Sequence, residues 1–139
     1  MLPINITAVL VAALATFVVG FLLHGPIAGK LWMKLANIHP TGKEKFSDMY
    51  GQMFWNYVAN VVCAIVMSGV FWLVFSSPVM GEMNAYRGAI VAFWLGLGFV
   101  VTAASMETIW MGRSVKLWLF EGLASILGLM AMGAVLGGW

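Results

Sequence analysis

Charge is what this sequence has least of. Five acidic and seven basic residues are spread over 139 positions, against 63% hydrophobic residues and a mean hydropathy of +0.98. A soluble domain needs roughly a quarter of its residues charged, so that class is excluded. Cysteine is nearly missing as well. Cys63 lies alone in an apolar run, has no partner for an intramolecular disulfide, and reads as a small packing residue. The opening MLPINIT holds neither Lys nor Arg, so the apolar run behind it is expected to be a retained span and not a cleaved leader, which needs a basic start. There is no Cys cluster, no His-x-x-x-His and no Glu-x-x-His, so no metal site is predicted. Ser105, Ser114 and Ser125 lack a Gly-x-Ser-x-Gly setting, so no catalytic residue is assigned. His24 alone at a span end is too little to predict haem or any other cofactor. The net charge of +2, with its basic residues in loops, excludes a nucleic-acid role.

What remains is apolar sequence in long runs. At about 20 residues per crossing, the chain has room for about four transmembrane helices and little else. The expected fold is all-α, a four-helix transmembrane bundle forming a single integral membrane domain over residues 1–139. Its spans are expected at about 4–24, 50–75, 88–111 and 115–138, with an interfacial amphipathic helix at about 26–38 after the first. Asn5 or Thr7 is placed to cap the first span. Ala8, Ala12, Thr16 and Gly20 recur every four residues along it, a small-residue stripe that admits a neighbouring helix, and His24 continues the stripe to the boundary.

In the interfacial segment, Ile27, Leu31, Leu35 and Ile38 share one face and Lys30, Lys34 and Asn37 the other, with Trp32 expected at the membrane boundary. Pro40 ends this helix, and Thr41 with Glu44 has capping-box spacing for the next. The second span carries Gln52, Asn56 and Asn60 four apart, an amide stripe suited to interhelical hydrogen bonds. The third carries Gly88, Ala92 and Gly96, and Glu107 eleven residues on falls near the same azimuth. In the fourth, Glu121, Ser125 and Gly128 share a face.

Glu107 lies six residues before Arg113, and Glu121 five after Lys116. With a turn near Gly112 to Ser114, both carboxylates then sit roughly 8 to 9 Å inside their helices, at similar depth. Carboxylates within spans are costly, so they should face other helices or a wet cavity. The candidate polar intramembrane cluster is therefore His24, Gln52, Asn56, Asn60, Glu107 and Glu121. The competing expectation is that each carboxylate reaches out to Arg113, Lys116 or headgroup water.

HGPIAGKLWMK, from His24 to Lys34, and RSVKLWLFEGLASILGLMAMGAVLGGW, from Arg113 to Trp139, resemble the small four-helix bacterial membrane proteins grouped as domain of unknown function 1761. Gly20, Pro26, Gly29, Lys30 and Trp32 match that family's first helix and its exit, and Met132, Gly133, Leu136, Gly137 and Trp139 its closing helix. Relatives tend to have an amide near the start of the last helix, followed by Tyr and His or similar, where this chain has Glu121, Ala124 and Ser125. The resemblance implies a four-helix inner-membrane fold and brings no activity with it.

Six of the seven basic residues, Lys30, Lys34, Lys43, Lys45, Arg113 and Lys116, fall in the first and third loops, and only Arg87 in the second. Those six are expected on the cytoplasmic face of a bacterial inner membrane, with both termini extracytoplasmic. Nothing in the sequence specifies an enzyme. The expected role is a non-catalytic helix-packing or accessory subunit of a homo-oligomer or larger membrane complex, whose partners are membrane lipids and other transmembrane helices. The alternative is a small proton-coupled transporter or carrier using Glu107 and Glu121.

Overall fold

The computed structural model describes residues 4–139. Four helical stretches, Ile6–Ile27, Phe46–Phe75, Ala85–Met111 and Val115–Gly138, are long and apolar enough to cross a bilayer, which makes this an all-α integral membrane protein. α1 (Ile6–Leu22) is capped by Asn5, whose Oδ1 accepts from Ala8 N at 3.1 Å. Its helical track runs on as a π-helical turn, Leu23–Ile27, that contains Pro26. Proline has no N–H for an α-helical bond, and the chain widens there instead of ending.

The interfacial helix is shorter than the 26–38 expected. α2 spans only Gly29–Leu35, after a break at Ala28. It starts tightly under the preceding turn, for a Cβ on Gly29 would lie 2.7 Å from the His24 carbonyl oxygen. It stops where Asn37 turns left-handed at φ 60° and the Ile38 N–H returns to the Met33 carbonyl at 2.8 Å. The Thr41–Glu44 pair does not start a helix. Glu44 Oε1 accepts from the Thr41 N–H at 2.7 Å and from its hydroxyl at 2.8 Å, closing a small loop of its own. Those donors, the backbone one first, hold the exposed Glu44 carboxyl down at about 2. The next helix opens instead with a 3-10 turn, Phe46–Met49, where Asp48 Oδ2 accepts from Lys45 N at 3.1 Å.

That turn runs into α3 (Tyr50–Phe75). After a short turn, α4 (Ala85–Leu95) begins with Asn84 accepting from Arg87 N at 3.0 Å. A second π-helical stretch, Gly96–Val101, joins α4 to α5 (Thr102–Met111). Gly112, left-handed at φ 65°, makes the turn into α6 (Val115–Gly138).

α6 is the centre of the bundle, with α4 against one side and α1 against another, while α3 packs mainly on α1. The α4–α6 seam runs backbone to backbone. A Cβ on Gly88 would collide with the Gly133 carbonyl oxygen, and one on Gly133 would sit 2.6 Å from the Ala92 Cβ. This is the close approach that small residues allow in lipid. The buried core, including Ala12, Met67, Phe71, Ala92, Met132 and Leu136, lies in the half of the bundle nearest the α3–α4 turn. In that half every helix gives buried side chains. In the other half, the first three turns of α3 give none, and the bundle opens.

Candidate functional site

The open half holds a cavity of about 370 Å³ between α1, α3 and α6. Thr16, Gly20 and His24 line it from the first span, Gln52, Asn56 and Asn60 from α3, and Ser125 and Gly128 from α6. Four of the six candidate polar residues thus face one space. The α1 stripe is tied down on the way: the Thr16 hydroxyl donates to the Gly128 carbonyl at 2.9 Å.

At the loop end of this cavity His24 is held on both ring nitrogens. Nδ1 lies 2.9 Å from the Gly20 carbonyl oxygen and Nε2 2.9 Å from Glu121 Oε2. A carbonyl only accepts, so Nδ1 carries a hydrogen, and this assignment rests on the partner's chemistry. The Nε2···Oε2 contact then requires one further proton, held as imidazolium facing carboxylate or as imidazole facing carboxylic acid. Either way the pair as a whole is neutral. The second carboxylate oxygen, Oε1, accepts from the Trp32 indole N–H at 2.6 Å. Trp32 and Phe120 meet the imidazole edge-on at centroid distances of 5.3 and 5.5 Å, which fixes its plane.

Trp32, expected at the membrane boundary, has a half-buried ring whose N–H points inward and donates to Glu121. No sequence pattern marks such a role, because α2 reaches α6 only through the π turn and the break at Ala28. Trp118 is similar. Its indole N–H donates at 2.9 Å to the Val101 carbonyl, at the end of the second π-helical stretch.

Glu107 is not where a straight helix would put it. It was expected on the face of Gly96, turned into the bundle, yet its side chain is 54% exposed and pairs with Arg113, itself 59% exposed. The π-helical Gly96–Val101 explains the difference. One extra residue per turn sets everything downstream back by about 100°. An ion pair this open to solvent contributes under about 1 kcal/mol. Glu107 and Glu121 do line a common second cavity, of about 210 Å³, between α5 and α6. Each carboxylate nonetheless has its own counter-group, Arg113 for one and His24 for the other. Glu121 therefore stands between the two cavities, lining one and bonded to a residue that lines the other.

Among the described residues no group of three His, Cys, Asp or Glu side chains is placed to hold a metal ion. The Lys30 and Lys34 side chains stand outward on α2, at the same end as Arg113 and Lys116.

Residues 7–137 match the pattern of a family described as protein of unknown function (DUF1761). The chain belongs to the DUF1761 family. No curated protein and no solved structure matches it. Membership in DUF1761 carries no reaction with it, so any role for this DUF1761 protein has to come from the cavities and the His24–Glu121 pair.

Proposed function

We propose that the chain is a protomer of a small proton-coupled carrier in a bacterial inner membrane. In this reading His24 and Glu121 form the proton site, and the cavity between α1, α3 and α6 is the solute site. The observation that supports it is the His24–Glu121 hydrogen bond, which joins a residue lining one cavity to a residue lining the other. Glu107 is left out of the proton site because Arg113 already neutralises it. In proteoliposomes under a pH gradient, Glu121→Gln is expected to lower proton flux by about 10²-fold, the lower end of what a positioned proton-transfer group contributes. Glu107→Gln should stay within about twofold of the wild type. No flux in the wild type, or equal loss in both variants, would remove this reading.

A second reading, a non-catalytic helix-packing subunit, draws on the open row of helices. α3 and the α4–α5 span each have one principal neighbour, so their outer faces are free for other transmembrane helices. Recovery only as a monomer, without a co-purifying chain in several mild detergents, would count against it.

In both readings the loop end of the bundle is cytoplasmic and the termini are outside. Six basic residues gather at the loop end and Arg87 alone at the other. A periplasm-active reporter fused after Trp139 should be active and a cytoplasm-active one silent, with a cysteine introduced at Lys43 unreactive to an external label. The opposite pair of signals would invert the assignment.

A further inference from the structure

The larger cavity says something about what it accepts. Its walls are mainly apolar, with Phe17, Phe21, Met49 and Met53 facing the space, and its volume of about 370 Å³ is within the range of small-molecule sites. Its polar groups divide into two sets. The first is already engaged: His24 and Trp32 with Glu121, and Thr16 with Gly128. The second faces the space with bonding capacity left. Among the described residues nothing bonds the Ser125 hydroxyl or the Asn56 amide nitrogen, and Asn60 donates to Asn56 Oδ1 at 3.4 Å while its own carbonyl stays free. Gln52, oriented so that its nitrogen donates to the Met49 and Asp48 carbonyls, also turns a free oxygen outward.

This second set contains donors and acceptors and no charge. None of the lining residues is Asp, Glu, Lys or Arg, and the His24–Glu121 pair is neutral as a unit. An ionised ligand would leave water for a site with no opposite charge to receive it, which is strongly unfavourable. A hydroxyl or primary amide would satisfy a donor and an acceptor at once, with its apolar part against the Phe and Met walls. We propose that this cavity binds an uncharged amphiphile, a molecule with one hydroxyl or amide head on an apolar body. The proposal names the solute class for the carrier reading and rests on that reading's choice of cavity.

The test places the protein in phospholipid nanodiscs, free of detergent, with a decanol probe that carries a diazirine in its tail. Labelled peptides are mapped by mass spectrometry. Labelling is expected at Met49 and Met53 on α3 and at Phe17 and Phe21 on α1. Unlabelled decanamide should displace it, whereas decyltrimethylammonium, and decanoate at about pH 8, should do so at least about tenfold less well. Asn56→Leu with Ser125→Ala should cut labelling at least about tenfold, and Ser125→Ala alone by a smaller factor if the pair folds poorly. Ser68→Ala, at a residue that lines a separate cavity toward the α3–α4 turn, should not change it. Equal displacement by either charged competitor, or full labelling of both variants, overturns the proposal. Flux that fails while selective labelling persists would instead sink the proton reading alone.

Discussion

Replacing Gly133 with leucine is expected to leave little folded protein. The α4–α6 seam is the tightest contact in the bundle, and what faces Gly133 there is mostly backbone: the Gly88 carbonyl, with its carbon 3.0 Å from the added Cβ, and Ala92 Cβ at 2.6 Å. Backbone cannot rotate away as a side-chain tip can. A single methyl, Gly133→Ala, should already cost about 1–3 kcal/mol as overpacking, and the leucine side chain would separate the two helices. Gly51→Ala is the matching control, because a Cβ at that exposed helical position meets nothing within 4 Å. It should be neutral or stabilise by up to about 1 kcal/mol through helix propensity. Thermal unfolding in detergent, followed by fluorescence-detected size exclusion, reads both. A wild-type melting profile for Gly133→Leu would show that the seam is not closed as described.

The second large effect is expected at Glu121. Glu121→Leu strands two donors at once, the His24 imidazole and the Trp32 indole. Hydrogen bonds to a charged group contribute about 1.5–3 kcal/mol each. With side chains 30% and 40% exposed at His24 and Glu121, solvent screening reduces the joint loss to about 1–3 kcal/mol. The structural consequence is local: α2 loses its polar tie to α6. Trypsin should then cut at Lys30 and Lys34 several times faster, and the Trp32 emission should shift to the red. Adding His24→Leu should cost less than the sum of the single changes, because the two residues share one bond. Strict additivity would mean that the pair does not form.

Much of the fold was legible because membrane helices announce themselves. The second and fourth spans, expected at about 50–75 and 115–138, fold as Tyr50–Phe75 and Val115–Gly138. The small-residue spacing at Gly88, Ala92 and Gly96 pointed to a face that is in fact buried. The misplaced Glu107 and the unforeseen Trp32–Glu121 bond have one common physical source. Extrapolation along a helix assumes 3.6 residues per turn throughout, and two π-helical stretches break that assumption. One carries Glu107 off the face of Gly96. The other carries Pro26 through the first helix and delivers Trp32 to Glu121. Neither stretch has a reliable sequence mark, since glycine and proline also occur in ordinary spans. The amides of α3 were visible as a stripe, but that they border a cavity depends on α3 leaving α6 over its first turns, which only packing decides.

α3 is, in mechanical terms, a cantilever. Its far half is clamped by Ala64, Met67 and Phe71. Tyr57 ties the helix to α1 by donating to the Leu10 carbonyl at 3.2 Å and meeting Phe17 edge-on, and before Tyr57 no residue of the helix is buried. Gln52 stands five residues from Tyr57, about 7.5 Å along the helix axis. A tilt of about 10° there would carry Gln52 through roughly 1 Å. Such a bend is confined to the first two turns of α3 at the cavity mouth, and the glycine seam lies on the other side of α6, between it and α4.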